Sequence, residues 1–320
     1  MEIRDPRSIR DFQTTTFSGH PRAHVCKVLL KAIELGHADY ACYWTLELLC
    51  SGLVHTIWGT LFQGAAMYIN RGSPNIFAYL AESFERYMPI EAGYPVDTIV
   101  TIRNHPDVRR IVCQAAATVA QCRKCKLPSL PAIKPVHDFN SATIHESIRA
   151  PSALYGKEVL KQQDPYALAV ATNELCYSLK ADVRDPAKAF YWMAWMIALA
   201  RETKKATKEG FLIASRPNEY VADVHSRDLV WLFWECIFKH AAQSKYHIDT
   251  LFKMYCLRWT PACRKDRQSL MMASVVLVCD APTLDSTPVS GSTIQTEALL
   301  SQVPQWLDAI QRTQQTFSGH

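Results

Sequence analysis

Apolar side chains recur at spacings of three and four residues along most of the chain, the pattern of a helix with one buried face. In the segment 38–50 this stripe consists of Ala38, Ala41, Cys42, Thr45, Leu48 and Leu49. The alternation of apolar and polar residues that is typical of strands is nowhere sustained. The pattern therefore predicts an all-α protein, a multi-helix array of antiparallel helices in two packed lobes without a substantial sheet.

Prolines and glycines divide this pattern into elements. We predict four helices between residues 21 and 88, followed by helices over 106–124, 164–179, 186–208, 226–240, 247–259, 261–278 and 295–312. Three of them begin with a capping residue and a first-turn proline, at Asp164-Pro165, Asp185-Pro186 and Thr260-Pro261. The predicted layout is an N-terminal arm (1–20), a helical lobe (21–126), a Pro-rich connector (127–163), a second lobe (164–280) and a C-terminal linker, amphipathic helix and tail (281–320).

One pentapeptide occurs twice, as Thr16-Phe17-Ser18-Gly19-His20 and as Thr316-Phe317-Ser318-Gly319-His320. We predict that both copies lie outside the helical body and dock a partner, because two linked copies raise the apparent affinity for a multivalent partner. The partner-docking residues would be Phe17, Ser18, Gly19, His20, Phe317, Ser318, Gly319 and His320. Coincidence and a cap-forming turn are the alternatives, since Ser-Gly is ordinary turn chemistry.

A weaker similarity links the two lobes. The segments Ala38–Trp44 and Pro186–Trp192 each place a small residue shortly before an aromatic run that ends in Tyr-Trp. This similarity suggests a duplicated helical unit, or two core helices that converge on the same aromatic packing. The helix over 228–238 is apolar nearly all round, which is typical of a core helix or of a helix at a subunit interface, so an oligomer is possible.

The composition indicates a chain that folds without crosslinks. The 320 residues are 48% hydrophobic, enough for one large helical domain or two lobes. The 11 cysteines have no framework spacing, and most lie in apolar helical runs as small hydrophobes. This usage predicts a reducing compartment. No stretch approaches the roughly 18 apolar residues of a membrane span, so we expect a soluble protein without membrane insertion.

The motifs of the common enzyme classes are missing from the sequence. Cys122-Arg123-Lys124-Cys125 has the gap of a zinc half-site and is followed by His137, but no second close pair completes four ligands. Metalloprotease, nucleophile-elbow, phosphate-loop and dinucleotide signatures are absent. We therefore predict no catalytic residues, no metal and no cofactor. An active site assembled from residues scattered over several helices stays possible.

Basic residues cluster at 103–110, 123–126, 201–208 and 258–267, in a chain of net charge +5. Such clusters are solvated helix faces or, where they converge, a contact for nucleic acid that does not depend on base sequence. The residues proposed for phosphate contacts are Arg109, Arg110, Arg264, Lys265 and Arg267.

Several short motifs together resemble a family of uncharacterised helical proteins of nucleocytoplasmic large DNA viruses. In chain order they are Ala32-Ile33-Glu34-Leu35-Gly36, Ala41-Cys42-Tyr43-Trp44, Glu47-Leu48, Ser51-Gly52, Asn75 to Tyr79, His105 to Arg110, Ile148 to Pro151, Asp164-Pro165, Asn173-Glu174-Leu175, Phe190-Tyr191-Trp192, Asp228 to Trp231 and Thr260 to Lys265. The resemblance implies viral proteins as partners, and a location in the host cytoplasm or nucleus, within the viral factory, or in the virion. That family has no established activity. This chain departs from it at Asp266, which interrupts a basic run.

A second, shorter resemblance is to the helical collar of clamp-loader-type ATPases, where a helix of the small-x-x-small-x-Tyr-Trp type also occurs. It implies an oligomerising helical module without ATPase chemistry. The leading hypothesis from the sequence is a non-catalytic scaffold or adaptor of a large DNA virus that acts by protein contacts in replication, transcription or virion assembly. The alternative is a basic accessory protein that binds nucleic acid.

Overall fold

The computed structural model describes residues 2–95, 98–280 and 293–318. Over these residues the protein is all-α and contains no sheet, which confirms the predicted fold class. The chain divides into two compact units. The first unit contains 1–126 and 286–320, and the second contains 127–285.

The first unit has α2 near its centre. Its helices are α1 (Arg22–Leu35), α2 (Ala38–Cys50), α3 (Val54–Tyr68), α4 (Ile76–Ala92), α5 (Pro106–Gln121), α13 (Thr293–Leu300) and α14 (Val303–Ser318). Helix α2 packs against α1, α5 and α14. The fully buried Ala115, Ala116 and Ala117 of α5 have small side chains, which allow close helix packing.

Both predicted terminal extensions belong to the first unit. Ile3 and Phe12 of the N-terminal arm are buried, and the Ile3 N–H donates to Asn104 Oδ1 at 2.8 Å. At the other end, Leu307 and Ile310 of α14 are buried as well. The arm and the tail are therefore parts of this unit rather than separate segments, because their apolar side chains complete its core.

The second unit contains the aromatic helix of the sequence analysis. Its helices are α6 (Pro135–Asp138), α7 (Ser141–Ser147), α8 (Ala169–Ser178), α9 (Pro186–Thr207), α10 (Val230–Lys239), α11 (Lys245–Cys256) and α12 (Arg264–Cys279). Trp231 and Trp234 of α10 are buried against Tyr255 of α11, with ring centroids 6.0 and 5.2 Å from that ring. This aromatic face is therefore core.

The segment that the sequence suggested as a connector folds with the second unit. It contains α6 and α7, and the Trp195 indole N–H of α9 donates to Asp138 O at 2.8 Å. Phe139 packs edge-on against the same indole, with the centroids 5.0 Å apart. The prolines exclude a long helix there, but they leave enough local structure to cover α9.

One buried ion cluster ties the loops of the second unit to α10. The Arg216 guanidinium contacts Asp164 through Nη2 and Oδ2 at 2.6 Å, and Glu235 through Nε and Oε2 at 2.5 Å. It also donates to Val159 O at 3.1 Å. Arg216 and Asp164 side chains are almost completely buried, so the cluster depends on this full set of partners.

Candidate docking site on helix α2

The segment Thr16–His20 forms a tight turn on the surface of α2. The Thr16 N–H donates to His20 O at 2.8 Å, and the Gly19 N–H donates to Thr16 O at 2.9 Å. Gly19 has a φ of +83°, a left-handed conformation that glycine adopts without a Cβ penalty. The local Ser-Gly sequence thus forms the turn that one of the sequence alternatives anticipated.

Glu47 and Ser51 of α2 hold this turn by its backbone. The Ser18 N–H donates to Glu47 Oε1 and the Ser18 hydroxyl donates to Glu47 Oε2, both at 2.8 Å. The Phe17 N–H donates to Ser51 Oγ at 2.8 Å. Glu47, Ser18 and Ser51 are all fully buried. A buried carboxylate is stable only when it is hydrogen-bonded, and this turn supplies the donors.

The burial of the turn corrects the docking prediction for the first pentapeptide. Phe17 is 3% exposed and Ser18 is 0% exposed, so neither side chain is available to a partner. The cationic groups of Arg7 and Arg103 lie 5.1 and 5.9 Å from the Phe17 ring centroid. His20 is partly exposed and packs edge-on against Trp44 at 5.5 Å. The first copy anchors the chain internally.

The second pentapeptide has a different backbone. Phe317 and Ser318 are the last residues of helix α14, whereas Gly19 and its neighbours form a turn. Gly319 and His320 lie outside the described residues. Five identical residues therefore do not share one conformation, because α14 imposes helical geometry on the start of the second copy. The docking prediction for this copy therefore stays a prediction.

Helix α14 lies directly beside the first copy. The Ser18 hydroxyl also contacts Ile310 O at 3.2 Å. A cleft of about 480 Å³ opens next to Phe17. The other residues that line it are Glu2, Arg4, Asp5, Pro6, Arg7, Gln311, Gln314 and Gln315. The cleft is lined mainly by polar and charged side chains of the N-terminal arm and of α14.

The second unit contains another buried glutamate that holds a distant segment of the chain by hydrogen bonds, as Glu47 of α2 does. We call each of these glutamates a carboxylate anchor. Glu174 of α8 is buried, and it accepts hydrogen bonds from the N–H groups of Arg149 and Ala150 at 2.8 and 3.0 Å. The hydroxyl of Ser178 donates to Glu174 O at 2.8 Å, as Ser51 does to Glu47 O at 2.9 Å. In each unit a buried glutamate of a helix therefore accepts hydrogen bonds from a segment distant in sequence, a turn in the first unit and residues 149–150 in the second.

The sequence analysis missed this correspondence, although a signal was present. Residues 45–51 and 172–178 share the pattern Thr-x-Glu-Leu-x-x-Ser. The similarity chosen from the sequence instead paired α2 with α9 through Trp44 and Trp192. The shared hydrogen bonds pair α2 with α8, and they are the stronger structural indication of a duplicated helix.

Two of the proposed phosphate-binding residues lie on α5. Arg109 is partly buried and donates to Arg103 O at 2.7 Å and to Asn104 Oδ1 at 2.9 Å. Burial lowers the pKa of its guanidinium. Arg110 is exposed and pairs with Glu297 of α13 at 2.6 Å. The donors of Arg109 are thus used within the protein, and the charge of Arg110 is neutralised.

The other three lie at the start of α12, in the second unit. Arg264 pairs with Asp228, and Arg267 donates through Nη1 to Tyr255 O. Burial also lowers the pKa of Arg267. Lys265 is exposed. Of the residues proposed at this helix start, only Lys265 keeps a charge that is fully open to solvent.

Cysteine and histidine side chains do not form a metal site in the described parts of the chain, where no group of three or more potential ligands is close enough to hold an ion. The cysteines are free thiols. Cys176 is unusual, since the pKa of its buried thiol is lowered to about 6 by hydrogen bonds from Cys236 and His240, against the effect of burial. This cluster was also missed, because its members come from two helices.

None of the helices in residues 2–95, 98–280 and 293–318 combines the length and apolar content that crossing a bilayer requires. Comparisons with protein-family models, with curated proteins and with solved structures found no match. The function is therefore argued from the geometry of this chain and from the resemblance in its sequence.

Proposed function

We propose that this protein is a non-catalytic helical scaffold or adaptor that acts through protein–protein contacts. The sequence resemblance to helical proteins of large DNA viruses extends the proposal to viral replication, transcription or virion assembly, with viral proteins as partners. Helical proteins of this type present rigid faces to which other chains bind, and their function depends on surfaces rather than on one reactive group.

The observation that carries the proposal is the carboxylate anchor that occurs in both units. Glu47 binds a turn through the peptide N–H and the hydroxyl of Ser18, and Glu174 binds the N–H groups of Arg149 and Ala150. Recognition through the backbone does not depend on the side chains of the bound segment. The occurrence of this contact in both units supports the proposal that the protein acts by binding polypeptide segments.

Exposed apolar side chains on the second unit supply candidate contacts. Val136 of α6 is 96% exposed, and Tyr166, which precedes α8, is 93% exposed. Tyrosine is enriched in protein interfaces, where its ring provides contact area at a low entropic cost. Both side chains can be changed without disturbing the core, which makes them suitable for testing the proposal.

The test is affinity purification of the tagged full chain from infected cells, with and without nuclease, followed by mass spectrometry. We expect a defined set of proteins that survives nuclease treatment. Val136→Ser and Tyr166→Ser should reduce their recovery. The matched controls are Leu35→Ser and Tyr40→Ser in the first unit, which are 56% and 58% exposed. Loss of every partner on nuclease treatment would contradict the scaffold proposal.

A further inference from the structure

The basic clusters identified in the sequence differ in their burial and in their contacts. In the cluster 103–110, Arg103 is buried and Arg109 bonds to neighbouring oxygens. In the cluster 123–126, Lys124 donates to Ala120 O and Cys122 O near the end of α5, and Lys126 pairs with Glu34. Most of these charged groups form hydrogen bonds or ion pairs within the protein.

The basic side chains at the C-terminal end of α9 are exposed instead. We define the basic end of α9 as Arg201, Lys204, Lys205 and Lys208. All four side chains are exposed, whereas the preceding part of α9 is buried around Trp192 and Met196. With 22 residues and a rise of 1.5 Å each, α9 is about 33 Å long, and its last two turns extend past the core of the second unit.

The basic end carries charge that the protein does not neutralise. Glu202 pairs with Arg201 and with Lys205, at 3.1 and 2.9 Å. Within the described part of the chain, neither Lys204 nor Lys208 has an ion-pair partner. Residues 201, 204 and 205 share one helix face, because positions three and four apart are neighbours, and Lys208 follows as the C-cap.

The remaining residues of these turns indicate the class of ligand. Thr203, Ala206 and Thr207 are small, and no large apolar side chain interrupts 201–208. A helix that docks in a protein groove or lies on a membrane needs an apolar face. A phosphodiester backbone is bound by cations on a surface without bulky groups, and this is what the helix end presents. The Thr207 hydroxyl is used within the helix, where it donates to Thr203 O at 3.0 Å.

We propose that the basic end of α9 binds the phosphate backbone of nucleic acid without sequence preference. The site is distinct from Arg109, Arg110, Arg264 and Arg267, whose charges are paired or whose donors are used elsewhere. This inference also goes beyond the scaffold proposal. The recovery of protein partners after nuclease treatment tests the scaffold function, but it does not test binding at this helix end.

The test is fluorescence anisotropy of the full chain with a mixed-sequence DNA duplex and a single strand, over a series of salt concentrations. We expect the logarithm of the binding constant to fall linearly with the logarithm of the salt concentration. The double variant Lys204→Glu/Lys208→Glu should weaken binding at least tenfold and reduce the salt slope by about two, one for each lost phosphate contact. Binding without salt dependence would overturn the proposal.

The matched control is Lys245→Glu/Lys253→Glu, with the same charge change at exposed lysines of α11 in the same unit. We expect it to weaken binding less than threefold; an equal loss would show that net charge, not the helix end, drives binding. Lys204→Gln/Lys208→Gln provides a second variant that adds no negative charge to the helix C-terminus. Sedimentation with anionic vesicles in the absence of DNA binding would overturn the proposal in favour of a membrane surface.

Discussion

Glu47 is a buried carboxylate whose donors are a peptide N–H and a hydroxyl rather than a guanidinium or an ammonium. Such donors stabilise the charge without a second buried ion, so the desolvation cost is limited to one group. The same logic applies to Glu174, which accepts two peptide N–H bonds. At this scale the fold depends on hydrogen bonds between side chains and the backbone of distant segments.

Replacing Glu47 by Gln should destabilise the first unit by about 1–3 kcal/mol, because one side-chain atom becomes a donor that faces the buried donors of Ser18. Glu174→Gln should cost a similar amount in the second unit. The measurement is urea unfolding followed by circular dichroism. Glu85→Gln, at an exposed position on α4, is the control and should leave the transition midpoint unchanged. Equal midpoints for all three variants would refute the anchoring role.

The ion cluster around Arg216 predicts a dependence of stability on pH. Burial raises the pKa of Asp164, but hydrogen bonds from Arg216, Lys161 and Ala214 outweigh it and lower the pKa below its ordinary value of 3.8. A carboxyl whose pKa is lower in the folded state stabilises the fold above its unfolded value. This contribution should be lost as the pH falls from 3.8 through the folded value.

Denaturant titrations at several acidic pH values would measure this loss. Asp164→Asn should flatten the pH dependence in this range. Arg216→Met should destabilise the protein by about 3–5 kcal/mol at neutral pH, since it leaves a buried carboxylate without its cation. Lys31→Met, which breaks an exposed pair with Glu34, should change neither property. An unaltered pH profile in Asp164→Asn would show that other groups control it.

At the scale of secondary structure, the loop after α3 and the loop after α5 approach each other closely. This approach depends on Gly72 in the first of these loops. A Cβ on Gly72 would lie 2.6 Å from Arg123 O and 3.1 Å from the Cβ of Cys125. The second loop is held in place by the Cys125 N–H, which donates to Tyr68 O at 2.7 Å. The Cys-x-x-Cys segment is therefore packed against the end of α3 rather than arranged to bind a ligand.

Gly72→Ala and Gly59→Ala are the same substitution with opposite expected effects. The first should destabilise the protein by about 1–3 kcal/mol, because backbone atoms must move. The second lies on the exposed face of α3, where a Cβ meets nothing within 4 Å, and should stabilise by about 0.5–1 kcal/mol through helix propensity. Thermal unfolding of both variants measures the difference. A stabilising Gly72→Ala would disprove the close approach.

The sequence predicted most helices because their signals are local. The prolines that begin α5 and α9 lie at the predicted starts. Predictions failed where a residue distant in sequence determines the contacts of a side chain. Asp164 was interpreted as a helix cap, but it binds Arg216, 52 residues away. The predicted single helix over 295–312 is two helices, α13 and α14, and Pro304 lies in the first turn of the second.

At the scale of the molecule, the Pro-rich segment 127–163 predicted two lobes over 21–126 and 164–280, but not that the terminal segments fold with the first and the Pro-rich segment with the second. The C-terminal helices return to the first unit, where α13 packs on α5 and α14 on α2. This pairing joins residues nearly 300 positions apart, as in the contact between Ser18 and Ile310, whose sequence separation is 292. Periodicity identifies the apolar face of α14 but not its partner. The pattern shared by 45–51 and 172–178 marks the helix residues of the two anchors, but not the segment that each glutamate binds.

The unit boundaries predict how fragments behave. Residues 127–285 form one continuous unit and should fold alone as a soluble helical protein. Residues 1–126 should be unstable alone, because the faces of α5 and α2 that α13 and α14 cover become exposed. Circular dichroism and size-exclusion chromatography of both fragments measure this. Co-expression with 286–320 is the control and should restore the first unit; a stable 1–126 fragment would contradict the role of the C-terminal helices.

The discontinuous first unit also has a consequence for synthesis on the ribosome. Chains usually complete their N-terminal domain first, as it emerges. Here the turn at Ser18 cannot meet Ile310 until the chain has been translated as far as that residue, 292 positions further on. The second unit, encoded between the two parts of the first, can fold while the first still waits for its last helix. We therefore expect residues 1–126 to complete their packing later than the second unit.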